Sequence, residues 1–150
     1  MSSNNFKYWN DENNTFHSDS QYYLYIVNTD GTDLTLIDRI DNNDDGHFGC
    51  ATWSPDDSKI LYVRSYDSYI NKYFLILHNI SENTNTILQT EGNVCSPSFS
   101  PDGKKIVYVS SKNDKEEIFI MNADGNKKTR LTKAEYFLFS ALFQNCFITH

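Results

Sequence analysis

Along this chain, apolar residues come in short β-branched and aromatic runs, each closed by residues that favour turns. The clearest stretch is Phe99 to Thr132, FSPDGKKIVYVSSKNDKEEIFIMNADGNKKTRLT. Ile106-Val107-Tyr108-Val109 and Ile118-Phe119-Ile120-Met121 have strand composition, and neither has the spacing of an amphipathic helix. Ser100-Pro101-Asp102-Gly103 predicts a tight turn before the first run. Proline presets φ, aspartate bonds its own backbone, and glycine tolerates positive φ. Asn122-Ala123-Asp124-Gly125 predicts a second turn, ending in the Asp-Gly pair that hairpins favour.

The pattern repeats. WSPDDSKILYV at Trp53–Val63 matches FSPDGKKIVYV at Phe99–Val109 with an offset of 46 and no gap. Asn79 to Leu88 repeats Asn122 to Leu131 at an offset of 43, and Leu24 to Gly31 repeats Ile118 to Gly125 at 94. A weaker echo places Ser140-Ala141-Leu142-Phe143 44 residues after Ser96-Pro97-Ser98-Phe99. A four-stranded unit of about 45 residues is the length of a propeller blade. The expected architecture is all-β, an open arc of about three four-stranded antiparallel blades, that is, a partial β-propeller.

The second blade is expected as strands near 50–54, 59–65, 73–79 and 85–90, and the third near 95–100, 105–111, 116–122 and 128–133. Residues 1–21 are polar and predict a mostly disordered segment with a candidate strand at 6–9, so the first blade lacks its inner strand. Blades fill 22–133, and 134–150 reads as the degenerate start of a further blade or an aberrant tail. Ile60, Tyr62, Leu75 and Leu77 should share one sheet face, as should Ile106, Tyr108, Ile118 and Ile120. Trp53 and Phe99 occupy a repeated position that predicts core between blades.

The motif (Trp/Phe)-Ser-Pro-Asp-Gly-Lys, followed by Ile-Phe-Ile-Met-Asn-x-Asp-Gly and Arg-Leu-Thr, resembles the TolB-type propeller repeat. That repeat is shared with the propeller domains of prolyl oligopeptidases and their relatives. The resemblance covers about residues 22–133, and two copies depart from it: Asp57 stands where glycine is expected, and Ser81-Glu82 replaces Asp-Gly. It implies a fold firmly and a function loosely, because the matching residues build turns and cores. From it follow a non-catalytic protein-binding or scaffold module and, as the alternative, a propeller fragment of a prolyl-oligopeptidase-like or polysaccharide-processing enzyme. No G-x-S-x-G hydrolase motif occurs.

Composition narrows the partners. The chain carries a net charge of −7 and a pI near 4.9 without a basic stripe, which argues against nucleic acid. Charge is uneven: residues up to Asp57 hold eleven acids and two bases, while Asp102 to Lys133 holds eight bases and five acids. No apolar run approaches the ~20 residues of a membrane helix. The start shows no secretory signal, which points to the cytoplasm unless the true start lies elsewhere, whereas TolB relatives are periplasmic. The expectation is a protein partner that the sequence does not name, with self-association through exposed blade ends.

Candidate chemistry is sparse, and no cofactor is expected. Asp41-Asn42-Asn43-Asp44-Asp45-Gly46 fits the opening of a calcium loop, making Asp41, Asn43 and Asp45 candidate metal ligands. Thr52 stands where the loop's closing glutamate belongs, and a hydrated acidic loop accounts for the same residues. Asp44, Asp45 and His47 lie close enough in sequence to suggest an acid–base set, without a nucleophile. Asp56 and Asp102 look like catalytic carboxylates until their turns are considered. Cys50, Cys95 and Cys146 have no paired spacing, and Cys50 and Cys95 read as small buried residues near the propeller axis. His17, His47, His78 and His150 are too scattered for zinc.

Overall fold

The computed structural model describes residues 2–10, 15–40, 46–65, 72–88, 90–112 and 115–133. Eleven strands fall into three antiparallel sheets among these residues. The first sheet is β1 (Ser2–Asn10), β2 (Thr15–Ile26) and β3 (Thr35–Ile40). The second is β4 (Phe48–Trp53), β5 (Lys59–Ser65), β6 (Tyr73–Asn79) and β7 (Thr84–Leu88). The third is β8 (Asn93–Phe99), β9 (Lys105–Lys112), β10 (Lys115–Asn122) and β11 (Thr129–Arg130). Each strand pairs with its neighbour in sequence, and the three sheets form an open arc of propeller blades.

β1 contains the expected strand at 6–9 but is longer, and β2 begins at Thr15, where a polar loop was expected. Polar composition does not exclude a strand, because the ladder is made by backbone groups that every non-proline residue carries. Residues 134–150, including Cys146 and His150, lie outside the described residues. The last strand of the third sheet is short, yet the chain stays bound to β10. Leu131 N donates to Ile118 O (2.7 Å), and Ile118 N donates to the Thr132 hydroxyl (2.9 Å).

The turns repeat down to single atoms. Ser54 N donates to Lys59 O and Ser100 N to Lys105 O, each at 2.9 Å. The Ser54 and Ser100 hydroxyls accept from Lys59 N and Lys105 N, again at 2.9 Å, and donate to Asp56 and Asp102 at 2.6 Å. Asp57 adopts φ 56° where Gly103 adopts 68°, so the departure from the motif keeps the same left-handed backbone. Aspartate tolerates that region better than most residues with a Cβ. In the middle copy of the second turn, Asn83 takes the positive φ, one position after the replaced glycine.

The core lies between the sheets. Leu24 and Ile37 of the first pack against Ile60, Tyr62 and Ile76 of the second. Leu61, Val63, Leu75 and Leu88 of the second pack against Val94, Phe99, Ile106, Tyr108 and Met121 of the third. Each fully buried aliphatic side chain contributes roughly 1.5–3 kcal/mol relative to exposure. Tyr62 and Tyr108 are 0% and 1% exposed, the matching burial that the repeat predicts.

The expected face sharing is corrected by the register. Tyr62 pairs with Ile76, and Leu75 and Leu77 pair with Val63 and Leu61. In the third sheet Tyr108 pairs with Phe119, and Ile118 and Ile120 pair with Val109 and Val107. Paired residues share a face, so Leu75, Leu77, Ile118 and Ile120 face away from the tyrosines. Each tyrosine in a complete interface thus looks back toward the preceding sheet.

Trp53 is a second correction. Phe99 is 4% exposed, whereas Trp53, its repeat equivalent, is 47% exposed. Phe99 sits beside the Ser54-Pro55 turn of the preceding sheet, and both line one groove. Trp53 shares a face with Ile60, toward the first sheet. That sheet has no described inner strand, and so no equivalent turn to cover the indole.

Candidate functional site

The inner strands β4 and β8 flank a cavity of about 300 Å3, lined by Gly49, Cys50, Val63, Tyr73, Cys95 and Glu116 among others. Both strands are irregular here: β4 shifts register between Phe48 and Ala51, and β8 between Cys95 and Ser98. Bulges of this kind re-aim side chains. They explain why the cysteines are not the buried core residues expected from sequence. Cys50 is exposed, Cys95 half-buried, and both face the cavity. Burial pushes the Cys95 thiol up, with smaller contributions from Glu116 and Cys50, against a hydrogen bond with Ser96. A thiol held protonated is a weak nucleophile and a weak metal ligand.

His47, the described member of the suggested acid–base set, is fixed by its neighbours. Its N–H donates to the Ser65 hydroxyl (3.1 Å), its carbonyl accepts from Ser65 N (2.9 Å), and its ring meets Tyr73 edge-on at 5.3 Å. The Ser65 hydroxyl lies 3.3 Å from His47 Nδ1. A serine beside a histidine suggests a nucleophile and its base, yet Ser65 is fully buried and already accepts from the His47 backbone. His78 is also buried, with Nδ1 2.8 Å from Asn85 Oδ1. Asp41, Asn43, Asp44 and Asp45 lie outside the described residues. Gly46 has a reason to be glycine independent of any metal: a Cβ there would collide with the Ser65 carbonyl oxygen. No group of three or more metal-binding side chains occurs among the described residues.

Asp56 and Asp102 are turn residues. Asp56 Oδ1 accepts from the Ser54 hydroxyl, the Ser58 hydroxyl (2.8 Å) and Ser58 N (3.2 Å), which bring its pKa down to about 2. Asp102 is lowered by the Ser100 hydroxyl and by Lys104 N (3.1 Å). Between these turns lies a groove of about 210 Å3, walled by Ser54, Pro55 and Lys59 on one side and Pro101, Asp102 and Gly103 on the other. It is exposed and of mixed charge. Sequence alone gave no sign of it, because it exists only where two repeated turns stand side by side.

One polar contact that no motif announced joins the first two sheets. Tyr62 donates its hydroxyl hydrogen to Asp38 Oδ2 (2.7 Å), and Arg64 Nη1 lies 2.8 Å from both Asp38 oxygens. Both charged side chains are largely buried, at 14% and 11% exposure for Arg64 and Asp38. The Arg64 guanidinium also lies 5.9 Å from the Phe48 ring centroid.

Twice-repeated Ser-Pro-Asp turns, antiparallel sheets in sequence order and packing of sheet on sheet define a β-propeller segment. The TolB beta propeller domain family matches residues 6–143, and the chain belongs to that family. The Tol-Pal system protein TolB of Ruthia magnifica is 32% identical over 80 residues, covering 53% of this chain and 19% of that protein. The crystal structure of TolB from Acinetobacter baumannii matches with a TM-score of 0.60 and 29% identity, over 74% of this chain and 26% of that one. A structure solved as a TolB from Agrobacterium tumefaciens shares the fold, with a TM-score of 0.61 and 22% identity over 81% of this chain and 43% of that one. The chain therefore spans under half the length of each of these relatives. No helix among the described residues is long and apolar enough to cross a membrane.

Proposed function

We infer that this chain is a non-catalytic protein-binding module, and that it engages its partner through the turn-lined end of its blades. The observation that carries this reading is the engagement of the side chains with catalytic potential. Ser54 with Asp56, Ser100 with Asp102, Ser65 with His47, and His78 with Asn85 each form pairs that build a turn or a strand contact. The groove between neighbouring turns offers proline, backbone and charges of both signs, which suits an irregular stretch of polypeptide. The named relatives are Tol-Pal system proteins, and a component of such a system is the partner class this supports.

The test is titration of the purified 150-residue chain with the other purified Tol-Pal components. Saturable binding is expected, weakened by Lys104→Glu, which reverses an exposed charge beside the groove and exchanges the loose Lys104–Asp102 ion pair (3.9 Å) for a repulsion, while the Ser100 hydroxyl keeps its bond to Asp102. Absence of binding to every component, or turnover of peptide or polysaccharide substrates by the chain itself, would overturn the reading.

A further inference from the structure

The cavity between the second and third sheets brings two cysteines together. Cys50 and Cys95 lie on the inner strands β4 and β8, which pack against each other with no backbone ladder between them. Each strand is bulged where its cysteine sits, and Ser96 beside Cys95 adopts φ 49°. The bulges take both residues off the regular alternation, so that both thiols line the same space. Both are free. They also lie within electrostatic reach of each other: burial raises the Cys95 pKa most, and the charges of Glu116 and then Cys50 add to it.

We propose that Cys50 and Cys95 form a redox-active dithiol, which a small-molecule disulfide such as oxidised glutathione converts into a disulfide joining the second and third sheets. Cys50 loses its proton to solvent, and its thiolate attacks one sulfur of the oxidant. A bond forms between Cys50 and that sulfur, and the other half of the oxidant leaves as a thiolate. Cys95 then gives up its proton, attacks the Cys50 sulfur and expels the second glutathione thiolate. The two leaving thiolates take up the two released protons. Two cysteine sulfurs are oxidised and one oxidant disulfide is reduced to two thiols, so the step needs no further reagent.

Exposure assigns the order of the two steps. Cys50 is exposed and meets the oxidant, whereas Cys95 is half-buried and acts on a sulfur already held in the same cavity. A thiol kept protonated by burial reacts slowly with reagents arriving from solution. A target fixed beside it offsets that disadvantage through a high effective concentration. The cavity of about 300 Å3 leaves both side chains room to turn toward each other. The bond would cross a boundary that no backbone ladder crosses and would close a loop from Cys50 to Cys95. Oxidation would then make the two sheets unfold together.

The test uses the 150-residue chain with Cys146→Ser, which leaves Cys50 and Cys95 as its thiols. It is incubated with oxidised glutathione at about pH 8, where thiolates are accessible, and then digested without reductant. Loss of both titratable thiols is expected, with one peptide pair joined through Cys50 and Cys95. Adding Cys95→Ser should stop the reaction at a single glutathione on Cys50, and adding Cys50→Ser should slow it about tenfold or more. The urea midpoint of the oxidised chain should exceed that of the reduced chain, and neither variant should show the difference. Circular dichroism of each reduced protein reports whether it is folded. A glutathione that stays on Cys50 while Cys95 remains free, a disulfide formed only between chains, or two unreacted thiols would overturn the proposal.

Discussion

Asp38 and Arg64 form an ion pair at 2.8 Å across the boundary between the first and second sheets. Tyr62 donates to the same carboxylate, so three side chains from two sheets share one contact. Removing one member of a largely buried pair strands the other charge. Asp38→Ala is therefore expected to cost about 3 kcal/mol. Tyr62→Phe, which deletes a single hydrogen bond to a charged acceptor, should cost about 1.5 kcal/mol. Urea unfolding followed by circular dichroism measures both. Equal losses would show that the phenol and not the guanidinium dominates the contact.

Tyr108, the repeat equivalent of Tyr62, stacks on Phe119 at 5.7 Å and bonds to no carboxylate among the described residues. Burial, and to a lesser degree the negative charge of Glu91, pushes its pKa up to about 12. A raised native pKa means that the folded state holds the proton more tightly than the unfolded chain, whose tyrosines titrate near 10. The stabilisation is full below about pH 10 and is lost as pH climbs from there through about 12. Ultraviolet titration of Tyr108→Phe against the parent should remove a tyrosine that ionises well above pH 10. A parent whose tyrosines all titrate near 10 while folded would contradict this burial.

Asp56 works in the opposite direction. Its hydrogen bonds lower its pKa to about 2, so its contribution is present above the ordinary carboxylate range near 4 and fades as pH falls toward 2. Carboxyl carbon NMR should show Asp56 among the last groups to protonate, and Ser54→Ala should shift its midpoint upward. An unchanged midpoint in that variant would mean that the serine bond is not what holds it.

Two glycines separate steric demand from conformational demand. Gly46→Ala drives a methyl group into the Ser65 carbonyl and should cost about 1–3 kcal/mol. Gly31 has open space around its would-be Cβ but φ 84°, so Gly31→Ala should cost about 1 kcal/mol through backbone strain alone. Gly31→Asn should recover much of that loss, whereas Gly46→Asn should not. Chemical denaturation of the four variants distinguishes the two cases.

The blades were legible because their signals are local. Ser-Pro-Asp turns and β-branched runs sit within a dozen residues of each other and recur with few gaps. The face assignment of Leu75 and Leu77 was not legible, since Leu61, Tyr62 and Val63 are all buried. A strand covered on both sides has no polar positions to set the phase of its alternation. The exposure of Trp53 depends on what the adjacent sheet lacks, which its own repeat cannot report. The Asp38–Arg64 contact was also silent. Arg64 matches Ser110 in the next repeat, so the pair is peculiar to one interface and leaves no periodic trace. The neighbouring turns that form the groove were visible singly, but their juxtaposition was not.

Every described strand pair joins consecutive strands, so no backbone hydrogen-bond ladder crosses from one sheet to the next. Among the described residues, coupling between sheets then rests on side-chain packing and a few side-chain polar contacts, such as those of Asp38 and the bond from Tyr73 N to Asn93 Oδ1 (3.3 Å). A chain wired this way has low contact order, and each sheet can form early from residues close in sequence. Cooperativity becomes a property of the interfaces, as in a one-dimensional array of repeats. Loosening the apolar seam between the second and third sheets should therefore split one unfolding transition into two, leaving the strands of each sheet paired until its own transition.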